Sequence, residues 1–134
     1  VNVVIDTSIL SMALRRRRSP DSDLTVETLL GMVDRNEALV IGPVRQEILT
    51  GIREPEQFKA LKIRLRGYPE ANPVRADFET AAEMFNTCQS AGIQGSDTDF
   101  LICAMAARLD KPIFTTDKDF ERYAKHLPIR LYAA

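Results

Sequence analysis

Apolar positions along the chain follow two periods in turn. Short aliphatic runs of three to five residues are separated by longer stretches repeating at i, i+3, i+4 and i+7, which predicts strands interleaved with helices. Val1, Val3, Val4 and Ile5 form the first run, and without polar alternation they suit a strand buried on both faces, ending at Asp6. A first helix is expected over 8–17. Pro20 then breaks the pattern, Asp21 or Ser22 can cap, and Val26, Leu29, Leu30 and Val33 predict an amphipathic helix closed by Asn36. A second strand over 38–41 hands over at Gly42-Pro43 to a helix with Val44, Ile48 and Ile52 on its buried stripe, Gly51 marking its end.

After Pro55, the spacing of Phe58, Leu61 and Leu65 predicts a helix ending near Gly67; residues 69–73 read as a connection, with a short strand near Val74. Phe78, Ala81, Ala82, Phe85 and Cys88 mark a long helix closed by Gly92. Ser96-Asp97-Thr98-Asp99 has the S-x-x-D form of a helix start. The following run, 100–107, is apolar all round, so that helix must be packed on most of its surface until Lys111-Pro112 stops it. A strand over 113–115, a small helix over 119–125 and a last strand over 129–132 complete the pattern. Short strands alternating with longer helices specify an α/β fold: three layers, α/β/α, around a short central parallel sheet with right-handed crossovers.

Composition narrows the function classes. A chain of 134 residues with 45% hydrophobic content makes one domain, 1–134, and is too short for a second core. A net charge of -1 and a pI near 5.9 exclude coating of nucleic acid by bulk charge, so any such contact needs a local patch. No signal-peptide pattern opens the sequence, and the 100–107 run falls far short of the roughly 20 residues that span a bilayer; the expectation is a soluble, cytoplasmic protein with no membrane partner. Cys88 and Cys103 sit in apolar helical patterns and read as small core residues, which excludes a disulfide framework or four-thiolate zinc site. With His126 the sole imidazole, the available chemistry is mostly that of carboxylates.

Topology brings those carboxylates together. Ligands in an open α/β sheet bind at the carboxyl ends of the strands, where the connecting helices also begin. Asp6 and Asp117 directly follow strands, Glu47 lies in the first turns after the second strand, and Asp97 and Asp99 start a helix on the same edge. Neighbouring carboxylates resist joint ionisation, and a hard cation relieves the repulsion. Oxygen ligands without histidine or thiolate point to Mg²⁺ or Mn²⁺, whose bound water can attack a phosphodiester.

Four segments then carry a resemblance: Asp6-Thr7-Ser8-Ile9-Leu10, Glu47-Ile48-Leu49-Thr50-Gly51, Asp99-Phe100-Leu101-Ile102-Cys103-Ala104 and Thr115-Thr116-Asp117-Lys118-Asp119-Phe120. Their order and spacing resemble a PIN domain, more narrowly the VapC-type ribonuclease toxins of toxin-antitoxin pairs, over essentially the whole chain. The resemblance implies that Asp6, Glu47, Asp99 and Asp117 hold Mg²⁺ or Mn²⁺, Asp6 and Asp99 most directly, with Ser8 and Thr115 as polar neighbours. It also implies cleavage of RNA such as tRNA, inhibition by a cognate VapB-like antitoxin, and a homodimer. Asp97, two residues before Asp99, is an additional acid that the spacing alone does not rank against it.

Plainer roles compete at several positions. Asp97 and Asp119 suit helix capping, Asp117 could cap the same last helix as Asp119, and Asp6 could simply end a strand. Arg15, Arg16, Arg17 and Arg18 form either a solvated helix end or an arm for RNA phosphates. His126 reads as surface; Tyr68, Tyr123 and Tyr132, not interleaved with basic residues, read as packing. Two functional alternatives stand beside the nuclease: a receiver-like Mg²⁺-binding signalling domain, and a catalytically silent PIN-fold RNA-binding or interaction module.

Overall fold

Aliphatic runs without polar alternation must be covered on both faces, and three of the four such runs become sheet. The computed structural model describes residues 2–14 and 20–133. In it β1 (Val3–Ile5) lies between β2 (Ala38–Ile41) and β4 (Ile113–Phe114), and β3 (Glu70–Ala71) extends the sheet beyond β2, giving the order β3-β2-β1-β4. Every pairing is parallel. All three residues of β1 are buried, as its composition requires. The connecting helices are α1 (Thr7–Ala13), α2 (Pro20–Asp34), α3 (Gly42–Leu49), α4 (Pro55–Leu65), α5 (Arg75–Ser90), α6 (Asp97–Leu109) and α7 (Asp119–Ala124). The result is the expected three-layer α/β/α arrangement.

Several boundaries move, each for a local reason. Helix α1 begins at Thr7 because Asp6 is its N-cap, accepting a hydrogen bond from the Ser8 N–H. The helix expected over 8–17 closes after Ala13 with Leu14 as its C-cap, and Arg15 to Arg18 lie outside the described residues. Pro20 opens α2 instead of breaking the pattern before it, and Asp21 and Ser22 lie inside the helix; proline suits a first turn because its missing N–H would have no helical partner there. Helix α3 ends at Leu49, so Ile52 falls beyond it, in the turn that Gly51 makes at φ 91°. The strand expected near Val74 forms earlier, at Glu70–Ala71, where Arg45 of α3 pairs with Glu70; Val74 instead starts α5. The last strand shrinks to one parallel bridge, Ile113 to Leu131. Pro128 precedes it, and the Ile129 N–H turns back to Leu127 instead of joining a ladder.

Two helices depart from the predicted stripes. On α4 only Leu65 is fully buried. Helix α5 buries Asp77, Ala81, Met84 and Cys88, a stripe offset from the apolar one, and leaves Phe78 55% exposed. Helix α6 behaves as its all-round apolarity demands, burying Phe100 and every residue from Ile102 to Ala106. Its start is the expected cap, Ser96 Oγ accepting from the Asp99 N–H at 3.1 Å. Both cysteines are buried free thiols. No helix among the described residues is long and apolar enough to cross a membrane.

Buried Asp77 has no sequence signal except its partners. Arg108 of α6 grips its carboxylate with two hydrogen bonds, 2.8 and 2.9 Å, and the Val74 N–H adds a third at 2.8 Å. Burial pushes the Asp77 pKa up, but the bonds from Arg108 and Val74 and the guanidinium charge together outweigh it, so the pKa lies below the ordinary value. A carboxylate with a depressed folded-state pKa stabilises the fold above its unfolded value of about 3.9, and that contribution is lost as pH falls through the folded value. Arg108→Ala leaves the charge buried and unpaired, and is expected to cost about 3 kcal/mol at neutral pH. Urea denaturation of both proteins checks this: the difference should shrink as pH is lowered below about 4, and equal midpoints at neutral pH would show that the pair holds nothing together.

Candidate active site

The parallel register of β1 and β4 sets the centre of the site. Val4 lies opposite Ile113 and Ile5 opposite Phe114, and the Asp6 N–H continues the ladder onto the Phe114 carbonyl at 3.0 Å. Asp6 and Thr115 therefore leave the sheet side by side. Strand order reverses at this point, since the chain goes from β1 to β2 on one side and β4 enters on the other, and such a switch point opens a crevice at the carboxyl edge.

Hydroxyls organise the first carboxylate. Asp6 is 3% exposed, and its Oδ2 accepts from Ser8 Oγ and Thr115 Oγ1, each at 2.7 Å. The same hydroxyls accept in turn from the backbone, Ser8 Oγ from the Thr116 N–H at 3.1 Å and Thr115 Oγ1 from the Asp117 N–H at 2.9 Å. A closed set of hydrogen bonds thus joins the ends of β1 and β4 and orients the loop carrying Asp117. Asp117 Oδ1 accepts from the Asp119 N–H at 2.9 Å, so Asp117 performs the capping expected of Asp119, which sits inside the first turn of α7 near Arg122.

Asp6, Glu47, Asp99 and Asp117 line one pocket of about 290 Å³, with Thr7, Ser8 and Thr116. Asp97 does not. It is exposed and lines the neighbouring grooves with Phe78 and Leu101, which separates it from Asp99 in a way the spacing did not. Glu47 is exposed, although Val44 and Ile48 flank it on α3. His126 is at the surface, as expected.

Electrostatics single out Asp99. Burial raises its pKa above the ordinary value, and the charges of Asp6 and Asp117 raise it further, against hydrogen bonds to Tyr123 and Ser96 that lower it. The Tyr123 bond, hydroxyl to Asp99 Oδ2 at 2.8 Å, is a feature that the packing role assigned to this tyrosine missed. Its pattern in sequence, an aromatic 24 residues from its partner, carries no signal.

The lining suits a hydrated cation better than a fully dehydrated one. No histidine or thiolate faces the pocket, and among the described residues no three carboxylates, imidazoles or thiols converge as a ready-made ligand cluster. A hard ion of the Mg²⁺ class needs only one or two direct carboxylates and keeps several waters. Thr7 also lines the pocket, and its Oγ1 is buried without a hydrogen-bond partner, a polar group that an ordered water would satisfy.

Comparison with known proteins accords with this geometry. A family model described as the PIN domain matches residues 3–126. No curated protein matches the sequence. Among solved structures, the chain is similar to FitAcB from Neisseria gonorrhoeae at 14% identity and TM-score 0.76, covering 98% of this chain and 96% of that one. It is similar to VapBC2 from Rickettsia felis bound to a promoter DNA fragment, at 17% identity and TM-score 0.76, covering 98% of each chain. A toxin-antitoxin complex from Klebsiella pneumoniae aligns at 16% identity and TM-score 0.66 over 89% of this chain and 90% of that one. At these identities the likeness is one of fold.

Removing one charge from the crowded pocket should stabilise the metal-free protein. Asp99→Asn keeps an oxygen to accept from Tyr123, and its thermal midpoint in EDTA is expected to rise by about 3 °C, the shift that roughly 1 kcal/mol produces in a chain of this size. A lower midpoint for this variant would show that the carboxylates do not strain one another.

Proposed function

This chain belongs to the PIN domain family, and on that premise we propose that it is a divalent-metal-dependent endoribonuclease, the toxin of a VapBC-like toxin-antitoxin pair. The observation that carries the reading is the single pocket to which the end of β1, helix α3, the start of α6 and the loop after β4 each deliver one acid: Asp6, Glu47, Asp99 and Asp117. Mg²⁺ or Mn²⁺ is the implied cofactor, and Asp6 and Asp99 are its closest ligands in this reading, with Glu47 and Asp117 acting on its waters. Bound there, the ion supplies a water of lowered pKa and charge stabilisation at the phosphoryl oxygens.

The chain's own residues do the rest. Ser8 and Thr115 hold Asp6 in one orientation, with one oxygen engaged by both hydroxyls. Glu47 is the exposed acid of the pocket, open to a nucleic acid backbone that approaches from solvent. A groove lined by Ile48, Gln57, Leu61 and Arg64 meets the acid pocket at Ser11, and Arg64 there offers a cation to a phosphate next to the cut. This cation was not among the sequence candidates.

Partners follow from the same premise. An apolar groove of about 400 Å³ between α5 and α6, lined by Phe78, Ala82, Phe85 and Leu101, leads past Asp97 toward the pocket of Glu47. It supports capture of an apolar antitoxin segment that ends over the acids, and the exposed Ile63 on α4 supports pairing with a second copy. The receiver-like alternative falls with the family assignment.

The test is cleavage of a panel of structured RNAs, tRNAs included, in Mn²⁺ or Mg²⁺ with an EDTA control. Discrete cuts are expected from the wild-type protein with metal, and Asp6→Asn should cut at least about 100-fold more slowly, the loss seen when one preorganised group is removed from a charge-stabilising site. Equal rates with and without Asp6, or cutting that persists in EDTA, would overturn the assignment. Metal binding without turnover on any RNA would favour the catalytically silent module.

A further inference from the structure

We propose that Tyr123 is a positioning residue for Asp99, holding its carboxylate toward the acid pocket, and that Gly95 is required for the phenol to reach it. The proposal rests on the reading of Asp99 as a metal-holding carboxylate. Tyr123 is fully buried, and its ring is locked between Phe100 and Phe120, each with its ring centre 5.1 Å away. Packing therefore decides where the hydroxyl points. It donates to Asp99 Oδ2 at 2.8 Å, and its other neighbour, the Gln94 carbonyl, lies at 3.4 Å. A phenol has one proton to give, and the shorter bond to a charged acceptor takes it.

That bond does something the acid pocket cannot do for itself. Asp6 and Asp117 repel the Asp99 carboxylate, and Asp99 sits in the first turn of α6, where its side chain could rotate away from them toward solvent. Fixing Oδ2 to a buried, immobile hydroxyl fixes the carboxyl's rotation and hence the place of Oδ1. Partners of this kind typically alter metal affinity 10- to 100-fold when removed, because they keep a ligand oriented before the ion arrives.

Gly95 is the second, independent observation. A Cβ built there would lie 2.3 Å from the Tyr123 hydroxyl oxygen and 2.9 Å from both Tyr123 Cζ and Phe100 Cε2. Gly95 does not have the positive φ seen at Gly51 and Gly92. Alanine is therefore acceptable to its backbone, and what excludes a side chain is the tyrosine itself. The glycine keeps open the space through which the hydroxyl meets Asp99.

The experiment is a calorimetric titration of the purified full chain with Mn²⁺, without RNA, for wild type, Tyr123→Phe, Gly95→Ala, Asp99→Asn, Tyr123→Phe combined with Asp99→Asn, and Arg108→Ala. Tyr123→Phe keeps the ring and is expected to bind Mn²⁺ 10- to 100-fold more weakly than wild type. Gly95→Ala should weaken binding in the same direction by displacing the ring, and it stands in for Tyr123→Phe should that protein fail to fold. In the Asp99→Asn background, where residue 99 no longer offers a carboxylate to the ion, Tyr123→Phe should weaken binding far less than it does in the wild-type background, as expected when one residue acts through another. Arg108→Ala, destabilised elsewhere, should bind as wild type does, and a matching loss there would overturn positioning in favour of general destabilisation. Wild-type affinity within about twofold in Tyr123→Phe, instead of the loss expected of such a partner, would overturn the proposal while leaving the metal site standing. Failure of the wild-type protein itself to bind Mn²⁺ would overturn both.

Discussion

Everything at the proposed active site depends on the parallel register between β1 and β4. Because Ile5 lies opposite Phe114, the next residues on the two strands, Asp6 and Thr115, emerge together, and a hydroxyl meets a carboxylate oxygen at 2.7 Å. A slip of one residue would send Asp6 to the other face of the sheet and carry Thr115 away from it. The register is protected by what flanks the run: Val3, Val4 and Ile5 are buried, and a slip in either direction would bring polar Asn2 or Asp6 into the place of a buried aliphatic residue. The chemistry at the rim is thus a consequence of aliphatic packing in the centre.

Gathering acids at that rim works against folding, and the structure answers the problem locally. Asp6 is stabilised by two hydroxyls, Asp117 by the backbone N–H of Asp119, and Asp99 by a phenol. These bonds do not cancel the repulsion at Asp99, whose pKa stays raised by burial and then by its acidic neighbours. A cation at the pocket would turn the same crowding into affinity, which gives a physical reason for the fold to tolerate it. Stability is supplied elsewhere, by α6 inside the core and by the Asp77–Arg108 pair that ties α5 to it.

Much of this was legible in the sequence because it depends on period and order along the chain. Three strands, the all-round burial of α6, its Ser96 cap and the meeting of Asp6, Glu47, Asp99 and Asp117 all follow from local patterns plus the rule that parallel sheets bind ligands at one edge. What stayed hidden depends on which side of a helix meets which neighbour. On α5 the apolar pattern spans both Phe78 and Ala81, and the sequence does not say that only the second is buried. Asp77 likewise reads as an ordinary first-turn acid until Arg108, 31 residues away, is seen to face it. The strand at Glu70–Ala71 is only two residues long and lies between Pro69 and Pro73, where local signals favour a loop; tertiary pairing with β2 overrides them.

The four acids are held with graded firmness, and the grading fits the division of labour proposed for them. Asp6 is nearly inaccessible and fixed by groups on two strands, while Asp99 is tied to a ring that itself has no room to move. Groups already ordered in this way lose little further entropy when they close on an ion. Asp117 belongs to a loop whose backbone is bonded to Thr115, so its position follows that of Asp6. Glu47, on a longer side chain and exposed on α3, has no hydrogen-bond or salt-bridge partner among the described residues. Fixed short carboxylates suit direct contact with an ion, whose geometry is demanding, whereas a long, solvated one suits contact through water, where position is more forgiving. Rigid aspartates at the back of the pocket and an adjustable glutamate at its mouth also leave the open side free for a polyanion, which must arrive past a carboxylate that can swing aside.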